Sequence, residues 1–120
     1  MSFACSLPTR PLVAAVLLGL LALLVLSPAR AASGPVTVTI HRYAFEPRNL
    51  VVAPGTHIIW KNADDVPHNV VGLGAGAALR SPALDQDDSW ETQLDAPGEI
   101  DYVCGLHPHM QGHISVRAAQ

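Results

Sequence analysis

Residues 36–60, VTVTIHRYAFEPRNLVVAPGTHIIW, set the fold class. Val36-Thr37-Val38-Thr39-Ile40 alternates apolar and polar side chains with period two, the pattern of a half-buried strand. Pro47-Arg48-Asn49 turns the chain into Leu50-Val51-Val52, and Pro54-Gly55 turns it again into His57-Ile58-Ile59-Trp60. The same grammar continues beyond Trp60. Asn62-Ala63-Asp64-Asp65 is a loop before Val66-Pro67-His68-Asn69-Val70-Val71, Ser89–Leu94 reads as a strand, and Asp95-Ala96-Pro97-Gly98 is a turn. Gly98–Cys104 and Gly112–Arg117 complete the set. Some seven short strands broken by regularly spaced turns predict an all-β, antiparallel sandwich or barrel, and no helical periodicity competes with it. The exception is Gly72–Asp88, rich in Gly, Ala and Asp, which predicts an irregular connection with a short helical turn around Ala77-Ala78-Leu79. Phe45, Trp60, Trp90 and Tyr102 are the expected large members of the core.

The N-terminal part reads differently. Leu12–Leu26 is an unbroken apolar run of 15 residues, preceded by Arg10 and followed by Ser27-Pro28-Ala29-Arg30-Ala31. A basic start, a short apolar stretch and an Ala-x-Ala exit predict an export signal over residues 1–31. The competing membrane anchor needs roughly 20 apolar residues. Cys5 precedes the apolar run, the wrong place for a lipidated cysteine after cleavage.

Cleavage after Ala31 leaves residues 32–120 as a single domain and removes Arg10 and Arg30. Seven basic residues become five against ten acidic ones, a charge of −5 in place of −3. With 49% hydrophobic residues the chain is not disordered, and its acidic balance argues against nucleic acid as a partner. Only Cys104 remains of the two cysteines, so no internal disulfide is available. An exported lone cysteine is either an inert buried hydrophobe or a metal ligand.

Cys104-Gly105-Leu106-His107-Pro108-His109-Met110 favours the ligand. It sets a thiolate, an imidazole and a thioether three residues apart, between two expected strands, and His68 lies at another strand end. Two His, one Cys and a weak axial Met form the donor set of blue-copper electron-transfer sites, whereas structural zinc takes four Cys/His ligands and gains little from a thioether.

The chain resembles the cupredoxins, and most closely the amicyanins of the plastocyanin/azurin superfamily. Phe45, Pro47, Leu50, Val52 and Gly55 match the pattern F-x-P-x-x-L-x-V-x-x-G, followed by Trp60-x-Asn62 and Pro67-His68-Asn69-Val70. The short Cys104-x-x-His107-x-x-Met110 loop and Ala77-Ala78-Leu79-Arg80 complete the match over residues 36–117. The resemblance implies a Greek-key β-sandwich and one copper ion, Cu(II)/Cu(I), held by His68, Cys104, His107 and Met110. It gives Asn69 a hydrogen bond across to the ligand loop. Leu106 and Pro108 shape the surroundings of the thiolate, and His109 replaces a large apolar residue on the docking patch. It implies a periplasmic, monomeric, non-enzymatic carrier of single electrons. A dehydrogenase such as methylamine dehydrogenase would be the donor and a c-type cytochrome the acceptor. The alternative in the same compartment is copper storage or delivery, and a weaker one is a module that has lost its metal.

Two departures carry expectations. Leu106 stands where the family commonly has Pro, and its N–H is expected to bond the Cys104 sulfur and favour Cu(I) over the state in a Leu106→Pro variant. His107, mid-loop, is expected nearest the surface, where the family's exposed ligand can protonate and leave Cu(I). His41, His57 and His113 are expected to face solvent. Asp85, Asp87 and Asp88 form an acidic cluster read either as a solvated loop or as part of a partner's docking field.

Overall fold

The computed structural model describes Met1 and residues 34–118. The chain divides into two compact units, Met1–Arg30 and Ala31–Gln120. The expected export signal, with Cys5 and Arg10, lies outside the described residues. No helix among those residues is long and apolar enough to cross a membrane.

Among the described residues eight strands form: β1 (Val36–His41), β2 (Ala44–Glu46), β3 (Asn49–Val52), β4 (Thr56–Asn62), β5 (Val71–Gly72), β6 (Ser89–Leu94), β7 (Gly98–Val103) and β8 (Gln111–Val116). They make two four-stranded sheets in the orders β2-β1-β4-β6 and β3-β8-β7-β5. The all-β sandwich is as expected, but two of its pairings, β1 with β4 and β3 with β8, are parallel. Parallel neighbours need a crossover, and the chain supplies it by placing β3 in the opposite sheet before β4 returns beside β1.

The period-two patterns decide which faces are buried. Val38 and Ile40 of β1, Ile58 and Trp60 of β4, Tyr102 of β7 and Ile114 and Val116 of β8 meet between the sheets. Phe45 packs against Tyr102 with ring centroids 4.8 Å apart, and Trp60 lies edge-on to Tyr102 at 6.0 Å. Trp90 is half-buried instead, because β6 is an edge strand and its ring lies beside that of Trp60, its cross-strand partner, at 5.2 Å. Burial pushes the Tyr102 phenol up to about 12, with the Trp60 indole offsetting part of the rise. Neither the phenol oxygen nor the indole nitrogen makes a well-formed hydrogen bond.

The irregular segment contains a 3-10 turn at Gly74–Gly76, three residues before the position expected from Ala77-Ala78-Leu79. Two glycines set its place. A Cβ on Gly72 would overlap the Gly76 carbonyl, and one on Gly76 would press on Ile100.

β1 and β2 are joined by Arg42 and Tyr43, both left-handed (φ 50° and 57°). Such loops normally carry Asn-Gly, since a side chain in this conformation costs about 1–2 kcal/mol per residue. Something else must hold this turn.

Of the histidines expected in solvent, His57 is exposed, while His41 and His113 are half-buried. His113 sits between two carboxylates on the outer face of the second sheet, Nδ1 2.7 Å from Asp101 and Nε2 2.9 Å from Glu99. Those bonds, Asp101's foremost and then Glu99's, raise its pKa above the ordinary imidazole value of 6.5. Raised in the folded state, it contributes stability that is full below about 6.5 and lost as pH climbs through the folded value. An NMR titration is expected to place the His113 midpoint above 6.5, and Asp101→Asn to lower it. A midpoint unchanged by that substitution would refute the assignment.

Candidate metal centre

Asn62 ends β4 and braces the loop beyond it. It is buried, and its side-chain amide donates to the carbonyls of Val66 and Leu84 at 2.9 Å each. Its Oδ1 accepts the Asp64 N–H at 3.0 Å. The expected strand over Val66–Val71 is therefore mostly loop, with β5 confined to Val71–Gly72. His68 is fixed by reciprocal backbone bonds with Leu84, and the Val70 N–H donates to the Ser81 hydroxyl at 2.8 Å.

β7 delivers Cys104 from the other side. The loop between β7 and β8 is tight: Cys104 N–H donates to the Met110 carbonyl at 3.1 Å, and Met110 N–H to the His107 carbonyl at 2.9 Å. Pro108 occupies the first central position of that last turn, where its fixed φ suits the bend. Cys104 and Met110 are buried, His107 is half-buried, and Leu106, Pro108 and His109 are exposed.

Three donor atoms converge. Cys104 Sγ lies 3.7 Å from His68 Nδ1 and 3.8 Å from His107 Nδ1, and the two Nδ1 atoms are 3.2 Å apart. The circle through these atoms has a radius of about 2.1 Å, against metal–nitrogen and metal–thiolate bonds of about 2.0–2.3 Å. The three residues are the one His/Cys/Asp/Glu cluster among the described residues able to share an ion. Their donors are two imidazoles and a single soft thiolate, a set suited to copper.

Asn69 clamps this cluster. Its Oδ1 accepts the Gly105 N–H at 2.6 Å, and its own N–H approaches Cys104 Sγ at 3.5 Å. The bond expected from Leu106 is a correction: among the described residues the backbone N–H on the sulfur is that of Asn69. Leu106 sits in the outer bend of the loop, half exposed to solvent. The basis for a lower potential in Leu106→Pro is therefore absent.

One residue was missed in the sequence. Asp64 Oδ2 lies 2.9 Å from His68 Nε2, so the carboxylate accepts that proton and leaves Nδ1 facing the cluster. The same carboxylate accepts the Arg42 N–H at 2.6 Å and the Tyr43 N–H at 2.9 Å, which is what holds the left-handed turn. Burial raises the pKa of Asp64, but the bonds from Tyr43, Arg42 and His68 outweigh it and hold the carboxyl below its ordinary value. An acid four residues before a ligand histidine was the available signal, but the loop composition around it read only as a turn.

The comparisons agree with this geometry. A family model described as a cupredoxin-like domain matches residues 14–116. The chain is 32% identical over 91 residues to amicyanin of Paracoccus denitrificans, covering 73% of this chain and 70% of that protein. It is 30% identical over 89 residues to amicyanin-alpha of Methylorubrum extorquens, covering 72% and 75%. A solved Cu(I) amicyanin variant superposes with a TM-score of 0.66 at 29% identity, covering 74% of this chain and 88% of that one. Fold, donor cluster and sequence relatives converge, and the chain belongs to the cupredoxin-like family.

Proposed function

We propose that the chain is a type 1 (blue) copper protein of the amicyanin kind, passing single electrons between redox proteins of the periplasm after removal of residues 1–31. The convergence of one thiolate and two imidazole nitrogens on a circle of bond-length radius carries this reading. Met110, buried on the same loop, would supply the fourth donor, a weak thioether. Bound copper would supply a one-electron Cu(II)/Cu(I) couple, and the protein supplies the hydrogen-bonded frame that holds the donors. Asp64 fixes the orientation of His68, Asn69 fixes the loop around Cys104, and the two turn bonds fix the Met110 backbone relative to Cys104 and His107.

Four protein ligands leave no position for a substrate, so the chain is a carrier and not an enzyme. His107 is the least buried of the four and the point of electron entry and exit. His109, Leu106 and Pro108 surround it as a docking rim for a transient partner of a monomeric chain. By analogy with amicyanins, the donor is a dehydrogenase such as methylamine dehydrogenase and the acceptor a c-type cytochrome. The charge of −5 on residues 32–120 favours partners that present a basic face, with association slowing as salt rises.

Reconstitution with Cu(II) tests the proposal. An intense blue absorption with reversible one-electron voltammetry is the expected result. A colourless Cu(II) form that loses metal rapidly would instead establish storage or delivery.

A further inference from the structure

The turn between β1 and β2 places an aromatic ring on the candidate metal centre. Tyr43 lies edge-on to His68 with ring centroids 5.4 Å apart, and edge-on to His107 at 5.1 Å. It stacks on His109 at 6.4 Å and 27°. The residue is 44% exposed, so burial does not explain its position. Its backbone is left-handed, a conformation that favours glycine, and it is kept there by the carboxylate that also holds His68. A strained, solvent-facing residue fixed against two ligand imidazoles points to a role at the site.

We propose that Tyr43 is a positioning residue for this centre. Its ring closes over the imidazoles of His68 and His107 and keeps the His107 ring turned so that Nδ1 faces the sulfur. Asp64 sets both halves of the device, because one carboxylate fixes the turn and the orientation of His68. The inference rests on the copper reading for its purpose, but not for its geometry. The occupant of the space above His107 is the protein's own side chain, and a partner reaching that ligand meets Tyr43 and His109 first.

Three variants separate positioning from simple hairpin support. Tyr43→Gly removes the ring and relieves the left-handed backbone, so the fold keeps or gains thermal stability. Tyr43→Ala removes the ring alone, and Tyr43→Phe keeps it. In the metal-free protein, NMR relaxation of the His107 ring carbons is expected to show disorder in Tyr43→Gly and Tyr43→Ala, and wild-type order in Tyr43→Phe. In the loaded protein, transfer of Cu(I) to a chelator is expected to quicken about tenfold in the first two variants, the worth of one or two edge-on aromatic contacts. His107 order and chelator transfer both unchanged in Tyr43→Gly would overturn the proposal. If the wild type binds no copper, the copper reading fails, and the metal-free measurement still decides the role of Tyr43.

Discussion

Cys104→Ser abolishes the intense visible absorption of the copper-loaded protein and weakens copper retention by more than about 100-fold, beyond the loss expected for an outer hydrogen-bond partner. The reason is the composition of the cluster. Cys104 is its single thiolate, and the other two converging donors are imidazole nitrogens that alone give a site of ordinary nitrogen character. The side chain is fully buried and close in size to serine, so the fold survives the exchange and the loss is chemical. Absorption spectra and competition with a chelator check this, and thermal denaturation confirms that the metal-free variant is folded. Met110→Leu makes the contrast: if Met110 is the weak thioether donor proposed above, its removal leaves most of the colour. A Cys104→Ser protein that stays blue would remove the basis of the proposed function.

Gly112→Ala is expected to produce a large loss of stability for a single added carbon. Gly112 sits on β8 directly across from Tyr102 on β7, and a Cβ there would overlap the Tyr102 ring and hydroxyl. The ring cannot step aside, because Phe45 packs on it at 4.8 Å and Trp60 meets it at 6.0 Å. Overpacking of this kind costs about 1–3 kcal/mol. For a domain this small, each kcal/mol lowers the melting temperature by roughly 4–8 °C. Scanning calorimetry of the metal-free protein measures it. Adding Tyr102→Phe should restore part of the loss, because it removes one of the atoms that the new methyl meets. Equal melting temperatures for wild type and Gly112→Ala would show that the two strands are not packed as described.

The residues differ in how openly they announced these roles. Cys104 and His107 were legible because a thiolate and an imidazole at three-residue spacing sit in one short loop, where local sequence and local geometry coincide. His68 was legible from its Pro67-His68-Asn69-Val70 setting, and the structure brings it to the same cluster from 36 residues away. Asn69 joins the two segments as expected.

What stayed hidden depends on contacts between distant parts of the chain. Parallel pairing of β1 with β4 leaves no mark on either strand's alternation, since both neighbours of a strand see the same pattern of faces. Trp90 reads like any core aromatic, and only its place on an edge strand leaves it half-buried. Asp64 and Tyr43 were hidden for a different reason. An acidic loop residue and an aromatic beside an arginine are ordinary in isolation, and they acquire meaning only when the hairpin turn folds down beside the β4–β5 loop. The Leu106 expectation failed because presence of an N–H does not fix its direction, and the loop turns Asn69's towards the sulfur instead.

The separation of His68 from the Cys104–Met110 loop has a bearing on when the ion arrives. Between them lie β5, β6 and β7, so an extended chain offers copper the donors of the Cys104–Met110 segment without His68. The cluster of His68 with Cys104 and His107 is complete only once the sandwich has shut. From then on the ion acts as a padlock across the molecule, tying the end of β7 to the segment after β4. At a free-ion concentration a thousand times its dissociation constant, it would hold the closed form by about 4 kcal/mol.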